Sequence, residues 1–200
     1  MFQCIEQDNL ERRRSIYALG NTPIISDSCL LNTIASCVKH CPTAFNVQSS
    51  RIAALFDNQH HKFWNLVWHN LQNVITPEQA KSSKEKIESF KHARGTILFF
   101  EDEKVLKKLK QQVPLYKKNV NIWAQQANGM LQYMIWQALS ENDIGASLQH
   151  YNEVIEKDVS TTFNIPRHWK LIAQMPWGSI EKEPAQKTFV PLEDRILVLK

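Results

Sequence analysis

The sequence predicts a domain of interleaved strands and helices, of α+β or three-layer type, and three observations predict it. Gly95-Thr96-Ile97-Leu98-Phe99-Phe100 is short, continuously apolar and β-branched at its start, as a strand covered on both faces requires. Segments with helical apolar spacing stand on either side of it, among them residues 120–142, which are apolar nearly all round and so call for burial. The chain of 200 residues has no internal repeat or low-complexity linker, which makes residues 1–200 one domain. Periodicity leaves the strand order open.

The elements follow in order. Residues 8–19 open on Asp8, a good N-cap residue, carry Arg12, Arg13 and Arg14 in a helix-compatible stretch, and stop at Gly20. Ser26 or Asp27 caps a second helix, with Leu30, Leu31, Ile34, Ala35 and Val38 at helical spacing. Pro42 disfavours helical geometry at Cys41, so residues 41–49 form a loop. Residues 50–56 read as a strand, and residues 58–73 as a helix burying Phe63, Trp64, Val67, Trp68 and Leu71. Thr76-Pro77-Glu78-Gln79 combines a capping Thr, a Pro at the first helical position and a Gln three residues after the cap, and the helix it starts runs towards Phe90. Beyond the strand at 95–100, residues 104–112 read as a surface helix. After residues 120–142 come a short helix near 152–159, a strand at 170–175 and an apolar run at 196–199 able to pair in a sheet.

Composition excludes several classes. No stretch approaches the ~20 apolar residues of a membrane helix, and the first eleven residues lack the apolar core of a secretory signal; a cytoplasmic protein without a membrane partner is expected. Cys4, Cys29, Cys37 and Cys41 are then reduced thiols, mostly core. Cys37 and Cys41 flank His40, but no second Cys or His pair follows at zinc spacing, so no metal is expected. The net charge of +4 is spread among acids, as in residues 81–91, and no nucleic-acid partner is indicated.

There is no G-x-S-x-G elbow, no G-x-G-x-x-G after a strand and no P-loop, so hydrolase, Rossmann and NTPase readings lack motifs. Four polar clusters remain, at residues 12–15, 42–49, 145–151 and 187–195, and as a set they suit an anionic, hydrogen-bonding cofactor. Arg12-Arg13-Arg14-Ser15 offers forked donors and a hydroxyl for a phosphate, although a solvated helix face would look the same. Asn46 and Gln48, two apart, would share a face in extended geometry and meet the edge of a heterocycle; capping their own loop is the alternative. Gln125, Gln126, Asn128 and Gln132 in the long helix need partners, whether a cofactor, another subunit, each other or water.

Arg13-Arg14-Ser15, Pro42-Thr43-x-x-Asn46-x-Gln48, Gly145 with Ser147-Leu148-Gln149-His150-Tyr151, and Pro191-Leu192-Glu193 resemble the nitroreductase superfamily in order and spacing over nearly the whole chain. Arg14-Ser15-Ile16-Tyr17-Ala18-Leu19, Ser49-Ser50-Arg51, Gly95-Thr96-x-Leu98-Phe99-Phe100-Glu101-Asp102 and Leu171-Ile172-Ala173-Gln174-Met175-Pro176-Trp177-Gly178 are most similar to the branch of the fungal fatty-acid-repression-mutant proteins and their bacterial relatives. The resemblance implies a three-layer α-β-α sandwich and a homodimer with exchanged C-terminal segments. FMN would lie between the protomers, with NADH or NADPH as reductant.

It further implies that Arg13 and Ser15 hold the FMN phosphate or ring carbonyls, that Arg14 neighbours the phosphate, and that Asn46 and Gln48 reach the flavin from the other subunit. Backbone around Leu148, Gln149 and His150 would lie near flavin N5, and Lys187 would be a C-terminal phosphate contact. Tyr17, also placed at the cofactor, stands where many members carry a basic residue, and Phe189 falls near a second such position. The implied activity is ping-pong reduction of a small-molecule acceptor, a nitroaromatic, a quinone or a related compound. The branch is also linked to lipid and oxidative-stress responses. In such a protein the flavin carries the hydride and the arginines suit the negative charge of its reduced form. A flavin-binding, redox-responsive regulatory dimer with low turnover is the alternative from another class, and a cofactor-free interaction protein is a third.

Overall fold

In the computed structural model, which describes residues 8–199, the central element is β3 (Gly95–Asp102), whose eight residues are all buried. It pairs antiparallel with β2 (Ser50–Phe56) on one edge, from Ser50 opposite Glu101 to Phe56 opposite Gly95, and with β5 (Trp169–Ile180) on the other. Side chains alternate across a strand, so Ile97 and Phe99 enter one core while Leu98 and Phe100 enter the other. The first core is closed by Leu30 and Ile34 of α2 (Asp27–His40) and by Leu131, Ile135 and Leu139 of α6 (Val120–Glu141). The second is closed by α3 (Asp57–Leu71), α4 (Pro77–Lys91) and α7 (Asn152–Thr162), through Phe63, Trp64, Phe90 and Ile155 among others. Helices therefore cover both faces of a five-stranded sheet. Its order is β1 (Leu19–Gly20), β5, β3, β2, with β4 (Gly145–Ala146) also on β5.

Local chemistry starts and stops these elements where the sequence reading puts them. Ser26 Oγ accepts the Cys29 N–H at 3.2 Å to cap α2, and Cys41, before Pro42, is extended at φ −64°, ψ 126°. At the head of α4 the Thr76 N–H donates to Gln79 Oε1 at 3.1 Å. Asp102 closes β3 and caps α5 (Glu103–Gln112), its Oδ1 accepting from Lys104 and Val105. Arg94, just before β3, donates to both carboxylate oxygens of Asp27 at 2.9 Å and to Asp57 Oδ1 at 2.8 Å, tying the first turns of α2 and α3 to the sheet.

The helix expected over residues 8–19 is a correction: α1 is Asp8–Arg12 only. The next residues spend their backbone on strands, with Ile16 N–H to Ala146 O at 2.9 Å, Glu181 N–H to Ala18 O at 3.0 Å, and Leu19 and Gly20 opposite Ile180 and Ser179. The approach of β1 to β5 is close enough that a Cβ at Gly178 would lie 2.0 Å from Gly20 O. β5 outruns the expected 170–175 because Pro176, like Gln174, directs its backbone towards residues 147–149. The N–H it lacks is thus not missed by β3. The run at 196–199 is unpaired and exposed. Within this chain α6 is buried on one face only, with Ile122, Met130 and Tyr133 exposed, and Leu31, Ala35 and Val38 of α2 face outward as well. Trp68 and Leu71 are half-buried.

One buried polar chain fastens α3 to β3. Trp64 Nε1 donates to Thr96 Oγ1 at 2.9 Å, and His60, 1% exposed, lies 2.8 Å from Thr96 Oγ1 through Nδ1 and 3.1 Å from Lys91 O through Nε2. A carbonyl only accepts, so Nε2 carries the proton and Nδ1 accepts from the threonine. Burial lowers the His60 pKa to about 4. The neutral ring is the folded form, whereas an unfolded histidine takes its proton near 6.5, so this stability is complete above about pH 6.5 and is lost as pH falls towards 4. The stability advantage over His60→Gln should shrink by about 2–3 kcal/mol between pH 7 and pH 4.5 in urea unfolding. An advantage that does not change with pH would contradict this account.

Candidate functional site

A cavity of about 460 Å³ opens where the N-terminal segment and the chain leaving β5 run side by side. Arg13, Arg14, Ser15 and Tyr17 line one wall and Lys182 and Lys187 the other, with Glu183 the one carboxylate among the lining residues. The expected N-terminal cluster and the expected C-terminal lysine thus meet at one place, although Arg13 and Lys187 are 174 positions apart in sequence. The helix break at Arg12 is what brings this about, since residues 15–20 lie along the sheet edge that the chain crosses again after Ile180.

The three arginines have different surroundings. Arg12 pairs with Asp143 across the end of α6. Arg14 Nη2 donates to Ala185 O at 2.7 Å and so holds the C-terminal segment. Arg13 lies over the Trp136 ring, 4.4 Å from its centroid, and its buried Nε has no partner among the described residues. Tyr17 is exposed and neighbours Phe90 and Lys86. Lys187 is exposed, its ammonium over the Phe189 ring at 5.3 Å.

Asn46 and Gln48 lie elsewhere. Phe45, Asn46 and Gln48 have φ of 54°, 50° and 48°, so the extended geometry expected of the pair is replaced by a tight coil with left-handed residues. Gln48 Nε2 donates to Asn46 O at 3.3 Å and its N–H to Thr43 Oγ1 at 3.1 Å, yet both side chains remain exposed. Phe45, 57% exposed, packs on Trp123 near the start of α6, at 6.0 Å between centroids, beside an apolar cavity of about 310 Å³. Trp123 and Trp136 are separated by roughly 20 Å along the helix at 1.5 Å per residue. The two clusters therefore stand at opposite ends of α6.

In the third cluster, Ser147 and Gln149 donate their N–H groups to Pro176 O and Gln174 O at 3.3 and 2.7 Å. Gln149 is 6% exposed with its amide on Ser147 Oγ, so both its backbone and its side chain are engaged inside the chain. By alternation the N–H groups of Leu148 and His150 face away from β5. Leu148 packs on the first core and His150 is exposed.

Of the α6 amides Gln125, Gln126, Asn128 and Gln132, two bond each other and the sheet. Asn128 donates to Phe100 O at 3.1 Å and to Glu101 Oε1 at 2.8 Å, and Gln132 donates to Asn128 Oδ1 at 2.7 Å. Ser50 Oγ also donates to Glu101 Oε1, at 2.6 Å. Gln125 and Gln126 are exposed. Trp136, beneath Arg13, is the position that sequence reasoning missed, because an aromatic residue in a largely apolar helix reads as core. Burial raises the pKa values of the Cys37 and Cys41 thiols, which makes them poor nucleophiles, while Cys4 lies outside the described residues.

The chain belongs to the nitroreductase family, whose model matches residues 10–179. The Saccharomyces cerevisiae protein HBN1 is 32% identical over 185 residues, covering 90% of this chain and 91% of that one, and nitroreductase FRM2 of the same yeast is 27% identical over the same shares. The structure of nitroreductase CinD from Lactococcus lactis in complex with chloramphenicol superposes with a TM-score of 0.88 at 40% identity, over 96% of this chain and 98% of that one. The fold is thus the mixed helix-and-sheet fold of nitroreductases, and family membership makes an oxidoreductase the expected class. Among the described residues no helix is long and apolar enough to cross a membrane.

Proposed function

We propose that this protein is an FMN-dependent oxidoreductase that uses NADH or NADPH to reduce nitroaromatic, quinone or related acceptors, with one flavin site at each end of a homodimer interface. The observation that carries the reading is the cavity in which Arg13, Arg14, Ser15 and Lys187 converge. A phosphate fits this donor set, because guanidinium forks and a hydroxyl match its oxygens and Arg13 has a buried Nε without a partner among the described residues. Tyr17 forms part of the same wall, in place of a further cation. A structure of CinD, 39% identical to this chain, has been solved with 4-nitrophenol, and this supports a nitroaromatic acceptor.

What one chain leaves undone supports dimerisation. Asn46 and Gln48 lie towards the opposite end of α6 from Arg13, so a second chain packed antiparallel along α6 would bring its own pair to the first chain's cationic cavity. Leu31 and Val38 of α2, Phe45, and Ile122, Met130 and Tyr133 of α6 are exposed apolar residues on the side of the sheet where that chain would lie. A Cβ at Gly129 would meet nothing within 4 Å, which leaves room for close approach there. The C-terminal segment exposes Phe189, Leu192, Leu197 and Leu199 at 63–84%, as a strap for a partner would. In this reading Leu148 and His150 present backbone N–H groups to the ring, and Gln149 holds their segment in place.

When bound, FMN supplies the hydride chemistry. The chain's residues bind the phosphate, orient the ring and leave one face open, so reductant and acceptor occupy one pocket in turn, in ping-pong order. The purified protein should be yellow, release FMN on heating, bleach with NADH or NADPH under anaerobic conditions, and regain colour with a quinone or 4-nitrophenol. FAD in place of FMN, or a protein still colourless after soaking in FMN, would sink the proposal. Bleaching without reoxidation by any acceptor would favour the regulatory reading.

The arginines allow a residue-level test. A charge-assisted hydrogen bond is worth about 1.5–3 kcal/mol, so Arg13→Ala should weaken FMN binding roughly ten- to a hundredfold. Arg12→Ala, which removes an exposed ion pair, should change it by less than about threefold. Titration of both apo variants with FMN decides it, and equal affinities would contradict the assignment.

A further inference from the structure

Arg13 differs from its neighbours in that no carboxylate or carbonyl among the described residues holds it. Arg12 is neutralised by Asp143, and Arg14 is tied to Ala185 O. Arg13 instead lies 4.4 Å from the centroid of the Trp136 ring, half-buried, with its Nε unpartnered among the described residues. Trp136 is on α6, one residue after Ile135 of the first core, so the indole is mounted on a rigid helix that packs against β3. An aromatic face attracts a guanidinium through its quadrupole without supplying a negative charge or consuming N–H donors. Contact of this kind orients the guanidinium and leaves its charge and its donor fork available. A carboxylate in the same position would orient it as well, but would neutralise it and compete with an incoming anion.

We propose that Trp136 is a positioning residue for the flavin phosphate, aiming Arg13 while leaving its charge unpaired before the cofactor arrives. The inference rests on the FMN reading above and adds to it a residue that none of the binding motifs contains. It gives a specific expectation about ligands. If Trp136 acts through Arg13 on a phosphate, its loss must weaken FMN, which carries the phosphate, and spare riboflavin, which has the same ring without it.

The test is binding of FMN and of riboflavin to apo dimers of the wild type, Trp136→Leu and Trp136→Phe, with the native fold checked by circular dichroism. Leucine keeps an apolar side chain on α6 but removes the ring. Trp136→Leu should lose roughly five- to thirtyfold in FMN affinity, the upper range of a desolvated cation–π contact, with riboflavin affinity changed by less than about twofold. Phenylalanine restores a ring face, so Trp136→Phe should stay within about threefold of the wild type for FMN. Equal losses of both ligands would make Trp136 a general packing residue and overturn the inference, as would unchanged FMN affinity in Trp136→Leu. Should the leucine variant not fold, a drop of more than tenfold in Trp136→Phe, or an equal drop for riboflavin, overturns it independently. A wild type that binds neither ligand is a different outcome, which rejects the flavin reading itself.

Discussion

Burial of β3 on both faces is the constraint on which the rest of the structure depends. Eight consecutive residues without access to water need apolar packing on each side and a complete backbone ladder on each edge. The ladder comes from β2 and β5, and the packing from α2 and α6 on one face and from α3, α4 and α7 on the other. The few polar groups in this strand are costly to bury and most are bonded, Glu101 Oε2 being buried without a partner among the described residues. Thr96 accepts from Trp64 and donates to His60, and Glu101 accepts from Ser50 and Asn128. Arg94 and Asp102, at its two ends, fix the starts of α2, α3 and α5.

This core also explains where the proposed site lies. α6 is fastened to β3 through Leu131, Ile135 and Asn128, and its two ends carry the residues that organise the candidate clusters, Trp123 beneath Phe45 and Trp136 beneath Arg13. A rigid helix keeps these clusters about 20 Å apart within a chain. In the proposed reading one chain therefore presents two half-sites. Left-handed Phe45, Asn46 and Gln48 fit the same picture, since strained and exposed backbone is maintained only where surrounding structure over-determines it. Ser50 on Glu101, Arg51 on Gln48 O and the Asp102 N–H on Ser49 O anchor that loop to the end of β3.

What was legible in the sequence was mostly local. Ser26, Thr76 with Gln79, and Pro42 mark helix ends through contacts within four residues, and the apolar run beginning at Gly95 announces its own burial. Residues 8–19 misled because helical spacing is also compatible with a chain that lies along a sheet edge. The deciding bond, Ile16 to Ala146, spans more than a hundred residues. Pro176 concealed the length of β5 because its position in a central strand is tolerable only when the N–H side faces the short 147–149 segment. The motif residues Arg13, Arg14, Ser15, Tyr17 and Lys187 could be grouped in advance only through the family resemblance, whereas Trp136 beneath Arg13 and the inward turn of Gln149 could not.

In the proposed reading each flavin site is built from half-sites of two chains, and native mass spectrometry of the purified, flavin-loaded protein separates this from a site within one chain. The expected species has twice the mass of the chain and carries two FMN molecules, with no flavin on any single-chain species formed by dilution. A single chain that retains stoichiometric FMN would contradict it.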